Sequence, residues 1–214
     1  MDRSTENIST LGLKAAIAAE RREVADMLDA LPPDAWDAPS LCAGWRVREV
    51  AAHMSMGFRH SFARQARELL KARGSINRVA DRLARQDAAA ASPRELAAFL
   101  RDNAHHPWKP PVGGLALALG HDVVHGLDIA VALDLDRRVP EDRLRAVLET
   151  VTPRSAKFFG AGLTGVSLHA DDLDWSFGTG TPLYGAAQDL ALVAFGRKLP
   201  PGRLRGEHGG RFTA

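Results

Sequence analysis

Apolar residues recur at helical spacing through "ISTLGLKAAIAAERREVADMLDAL", and the run stops at Pro32-Pro33, so the pattern predicts a first helix over residues 8–30. "PPDAWDAPSLCAGW" reads as a loop, and a second long helix is expected from Trp45 or Arg46 to Gly74. Ser75 can cap a third helix, "INRVADRLARQDAAAA", which breaks near Ser92-Pro93, and Pro93 suits the first position of "PRELAAFLRDNA". "HHPWKPPVGG" is a second loop, followed by one helix over residues 114–134 and another in "PEDRLRAVLETVTPRSAKFF". Four or five amphipathic helices in about 155 residues with short connections predict an antiparallel bundle.

The texture changes after Gly160. "GVSLHADDLDWSFGTG" alternates apolar and polar residues about an Asp-rich turn, as a hairpin does, and "PLYGAAQDLALVAFGR" returns to helical period until Pro200-Pro201. The expected organisation is a mainly α chain, a helical bundle over residues 1–158 and a small C-terminal α+β module over 159–214. No internal repeat or low-complexity tract interrupts it.

Composition narrows the function classes. Net charge is +2 with a pI near 9.0, the basic residues interspersed among acidic ones, so nucleic acid is not an expected partner. The more basic stretch from Arg197 reads as a solvated end. With Cys42 alone, no internal disulfide can form. The N-terminus has no signal-peptide core and no apolar run of bilayer length is apparent, so the expectation is a cytoplasmic chain with no membrane partner.

The chemistry concentrates in "GHDVVHGLDIAVAL". His121 and His125 lie one helical turn apart, so both imidazoles can reach one ion. A third imidazole, His53, sits among Val, Ala and Met on the second helix. Three side-chain ligands around zinc leave a fourth position open, the arrangement of a catalytic site, while a pair at this spacing also occurs without metal. Asp128 has two readings: it orients a ligand histidine, or it is a surface charge. His60, His105 and His106 are not expected as ligands, and Cys42 and Trp45 are expected to fix the loop before the second helix.

"PSLCAGWRVREVAAHM" and "ALGHDVVHGLDIAVAL" together resemble the two signatures of the mycothiol-dependent maleylpyruvate isomerase family, within the DinB-like metal-binding superfamily. "GVSLHADDLDWSFGTGTPLYGAAQDLALVAFGR" is similar to that family's C-terminal module. The resemblance implies a DinB-like four-helix bundle holding a divalent metal, most readily zinc, on His53, His121 and His125. It also implies a low-molecular-weight thiol, mycothiol, as cosubstrate, and a small electrophile as substrate. One position departs from it: isomerase-type members carry glutamate where His121 stands, so metal binding carries over better than the isomerase reaction.

A thiolate formed at such a metal could attack an electrophile in S-transfer, or add reversibly to a conjugated double bond in isomerisation. Arg197 is a weaker candidate, for holding a carboxylate of thiol or substrate. A non-catalytic metal-containing module and a metal-dependent hydrolase are the competing classes. The sequence does not choose among zinc, nickel and iron, or between monomer and homodimer.

Overall fold

A computed structural model describes residues 9–214, so the start of the first expected helix, Ile8, lies outside the described residues. The helices are α1 (Thr10–Asp29), α2 (Val47–Arg59), α3 (Phe62–Lys71), α4 (Ile76–Ala90), α5 (Pro93–Asp102), α6 (Gly114–Ala132), α7 (Glu141–Leu148), α8 (Pro153–Phe158) and α9 (Ala187–Ala194). The strands are β1 (Val166–Ala170), β2 (Ser176–Gly178), β3 (Thr181–Gly185) and β4 (Leu204–Arg205).

Helices α1, α5, α2 and α6 close a ring of packed neighbours, with α4 flanking α2, which is the bundle expected from the apolar periodicity. Its caps follow the sequence signals. Ser9, Ser75 and Ser92 each accept a backbone N–H at their helix start, and Glu95 completes a capping box with Ser92.

Three expected elements came out differently. The long helix to Gly74 breaks at His60, whose backbone is extended. Its imidazole turns inward to Asp87 Oδ2 at 2.7 Å, and Ser61 then caps α3 by accepting from Arg64 N. A buried hydrogen bond and a fresh cap outweigh helix continuation. The stretch after Pro140 is two helices, α7 and α8, because Thr152 and Pro153 start a new one with a Thr152–Ser155 capping box. Finally, "PLYG" is not helical: it is strand β3, and α9 begins only at Ala187.

The expected hairpin is present as β1 and β2, with Leu168 opposite Phe177. β3 adds parallel to β1, Leu168 opposite Leu183, and β4 pairs antiparallel with β3, giving the order β2-β1-β3-β4. Parallel pairing is what periodicity alone could not foresee, because Pro182 and Tyr184 face outward on a short strand. One hydrophobic core runs from Leu119, Val123 and Leu127 on α6, through Val147 on α7, to Leu168, Leu183 and Leu190 beneath the sheet. A second gathers Val24, Leu28, Val50, Met54, Leu96 and Leu100 inside the bundle.

α6 separates the two cores. Its 19 residues are apolar enough to cross a bilayer by length and mean hydropathy, a property the run of residues did not suggest, yet it lies mostly buried as a central helix. The buried polar residues on this helix are therefore the ones that need a reason.

Candidate metal centre

Two polar side chains of α6 converge with a third from α2. His121 and His125 project from one face of α6 and meet His53 from α2, with the ring centroids of the three 4.7–5.0 Å apart. His53 Nε2 and His121 Nε2 are 3.2 Å apart, and one nitrogen of each ring lies within 4.8 Å of the others. Two imidazole nitrogens on one tetrahedral zinc, at about 2.0–2.1 Å each, sit roughly 3.3 Å apart, so the spacing fits a shared cation.

The opposite ring nitrogens are fixed by carboxylates. His125 Nδ1 donates to Asp128 Oδ2 at 2.9 Å, and His121 Nδ1 donates to Asp122 Oδ1 at 2.9 Å. Each carboxylate is fully buried and in turn accepts from an arginine. Asp122 Oδ2 takes Arg21 Nε at 2.8 Å, while Asp128 takes Arg197 Nε and Nη2 at 2.9 and 2.7 Å. Two histidine–carboxylate–arginine chains thus hold both α6 imidazoles with Nδ1 protonated and Nε2 presenting its lone pair to the common centre.

The electrostatics agree. Burial, with the neighbouring imidazoles, pushes the His53 imidazole well below its ordinary value, and burial lowers that of His125 to about 4 despite Asp128. Burial alone would raise the Asp128 carboxyl, but Arg197 and His125 outweigh it and hold it below the usual range. His53 and His125 are therefore neutral donors at neutral pH, as metal ligands must be. His53 Nδ1 is a buried nitrogen with no hydrogen-bond partner, so this ring, unlike the two on α6, has no carboxylate behind it. An all-imidazole donor set of this kind suits zinc and other late divalent ions, and these residues fit one.

Two tryptophans flank the cluster. Trp45, from the loop before α2, packs 4.9 Å from His53 and donates Nε1–H to Asp81 Oδ1 at 2.8 Å. Trp108, from the loop before α6, lies 5.1 Å from His121. Its indole occupies the space above Gly57 on α2, where any Cβ would collide with the ring. The loop bearing Trp45 is tied to α6 through Leu41 N–H donating to Asp128 O at 3.0 Å. Arg21 Nη1 likewise donates to the carbonyls of Asn103 and His106, at 3.2 and 2.9 Å, anchoring the Trp108 loop.

Of the residues expected from sequence, His53, His121 and His125 come together, and Asp128 is buried against His125 instead of lying on the helix surface. Arg197 is close, but all three of its nitrogens are engaged, two with Asp128 and Nη1 with Phe195 O. It braces Asp128 instead of presenting a free fork to a ligand. Cys42 also comes within ligand distance of His125 and Asp128, its thiol pushed up to about 11 by burial and by Asp128. Trp45 lines the site as well as fixing its loop. His60 pairs with Asp87, away from the cluster.

Asp122 and Arg21 were missed. Both occupy apolar helix seams, Arg21 at helical spacing from Ile17, Val24 and Leu28, and Asp122 among Ala118, Leu119 and Val123. A charge at a core position was the readable signal.

Residues 17–106 match the family model of the mycothiol maleylpyruvate isomerase N-terminal domain. Two solved structures share the fold over 92% of this chain and 92% of their own. One is the crystal structure of the mycothiol-dependent maleylpyruvate isomerase, 15% identical with a TM-score of 0.55. The other is a histidine-to-alanine mutant of it, 14% identical with a TM-score of 0.57. Among curated proteins none matches. The domain match takes in the first of the two sequence signatures, "PSLCAGWRVREVAAHM", and the shared fold extends over the rest of the chain.

Proposed function

We propose that this chain, with the fold of the mycothiol-dependent maleylpyruvate isomerase and the matching N-terminal domain signature, is a metal-dependent enzyme using mycothiol as cosubstrate against a small electrophile. The observation that carries the reading is the convergence of three imidazoles, two of them oriented by buried carboxylates. His53, His121 and His125 would hold the cation. When bound, a divalent cation supplies the Lewis acidity that keeps a thiol as thiolate at neutral pH.

The chain's own residues do the rest. Asp122 and Asp128 keep Nδ1 of His121 and His125 protonated, which fixes the ring orientation and raises the basicity of Nε2. Arg21 and Arg197 balance those carboxylates, so neither competes for the cation as a free anion. Trp45 and Trp108 wall the cluster with apolar surface and limit water around the sulfur, which strengthens electrostatic interactions there. In S-transfer the thiolate sulfur forms a C–S bond to an electrophilic carbon as the bond to the leaving group breaks and that group departs with the electron pair. In isomerisation the added electrons reside on the conjugated acceptor until the C–S bond breaks again and the thiol is regenerated.

His53, His121 and His125 are neutral as ligands, so a divalent cation held by them would keep its full charge and would supply strong Lewis acidity there. Among the described residues no Ser–His–Asp arrangement lies at this centre, which suits a reaction whose nucleophile arrives as a cosubstrate. Turnover of maleylpyruvate and a panel of small electrophiles, with and without mycothiol and after chelation, tests the reading. The expected result is turnover that requires both thiol and metal. Equal turnover without thiol would assign the chain to metal-dependent hydrolysis instead.

A further inference from the structure

Helix α3 is folded with its apolar side outward. Phe62, Leu69 and Leu70 fall on one arc of the helix, and Phe62 is 87% and Leu70 80% exposed, with Ile76 at the start of α4 66% exposed. The side facing the protein is the polar one. Glu68 is buried, and there it accepts from Lys71 Nζ and Arg82 Nη1, both at 2.8 Å, while Gln65 Nε2 donates to His60 O. Soluble helices bury the apolar arc, so this inversion leaves a hydrophobic face without a partner.

The charge around that face is one-sided. Residues 61–78 carry Arg64, Arg67, Lys71, Arg73 and Arg78 against the single acid Glu68, a local charge of +4 in a chain whose total is +2. The remainder of the molecule is accordingly net acidic, and the basic residues are concentrated where the apolar side chains are exposed. We propose that α3 and the start of α4 form a docking surface for an anionic lipid bilayer, the apolar arc entering the headgroup region and the arginines meeting lipid phosphates.

The combination of a short amphipathic helix, basic flanks and an aromatic residue on the apolar arc is that of helices lying in a membrane interface. A second copy of the chain fits poorly, because a two-fold contact through this face would press one basic surface against its duplicate. Docking here departs from the expectation of no membrane partner drawn from the absence of a spanning segment, since a helix lying on the surface needs none.

The test is co-sedimentation of the full chain with vesicles of phosphatidylcholine alone and of phosphatidylcholine mixed with phosphatidylglycerol, at low and high salt. Binding should require the anionic lipid and weaken by about tenfold or more on raising salt through the range that shortens screening. Phe62→Ser with Leu70→Ser, and separately Arg67→Glu with Arg78→Glu, should each abolish most of it while circular dichroism and Tm stay at the parent values, because all four side chains are exposed. Equal binding to neutral vesicles, or binding to neither, overturns the proposal. So does a dimer in sedimentation velocity that the Phe62/Leu70 variant dissociates, or saturable binding to an acidic polypeptide with none to vesicles.

Discussion

Asp122→Asn separates the two tasks of the buried carboxylate. In the parent, Oδ1 accepts from His121 Nδ1 and Oδ2 from Arg21 Nε, with both Arg21 and Asp122 fully buried. An asparagine retains one acceptor oxygen and replaces the other with an amide donor, so one of the two contacts is lost and the buried guanidinium loses its counter-charge. Breaking a buried pair by neutralising one partner costs about 3–5 kcal/mol. The backbone carbonyls that Arg21 Nη1 already engages place the expected loss near the lower bound. For a chain of this size about 3 kcal/mol lowers Tm by roughly 6–12 °C. Loss of a carboxylate behind a metal-bound histidine should also weaken the cation by about 10–100-fold. Thermal unfolding of the metal-free chain measures the first effect and chelator competition measures the second. A variant whose Tm and metal affinity both match the parent would refute the assignment of Asp122 as the group that orients His121.

The folded state keeps His125 neutral with its value lowered to about 4, whereas the unfolded chain protonates it near 6.5, so the metal-free protein should hold its stability above about pH 6.5 and lose it as pH falls toward 4. The loss from this group is up to about 3 kcal/mol, with His53 acting in the same direction; urea titrations at pH 7 and pH 5 check it, and greater stability at pH 5 would contradict it. Gly57→Ala should expel Trp108 from its seat against His121, red-shifting tryptophan fluorescence while metal content is retained; an unchanged spectrum would show that the indole is not wedged there. His121→Glu should retain metal, because a carboxylate can replace an imidazole as ligand, and should keep some thiol-dependent turnover; loss of metal from this variant would show that the site does not accept the substitution.

The histidines were legible because helical spacing is a local rule: His121 and His125 had to share a face, and His53 lay on an apolar one. The bundle was legible for the same reason, from periodicity and from caps such as Ser75 and Ser92. What escaped was decided by contacts between distant segments. His60 ends α2 because Asp87, 27 residues on, accepts its ring proton. β3 is a strand because β1 offers it an edge, although "PLYG" adjoins a helical run. Asp122 and Arg21 are separated by 101 positions, so each alone reads as an anomaly in a seam and only together as a pair. Trp108 reaches the cluster through the bare backbone of Gly57, a vacancy that no spacing rule encodes.

The claim on which the functional reading depends is that one divalent cation sits on His53, His121 and His125. Elemental analysis by mass spectrometry of the purified chain, beside His53→Ala, His121→Ala and His125→Ala, tests it most directly. The account predicts close to one equivalent of a divalent metal in the parent and a loss of most of it in each variant, all three remaining folded by circular dichroism. Full metal content in His121→Ala, or a folded parent that takes up no divalent ion when one is supplied, would contradict it.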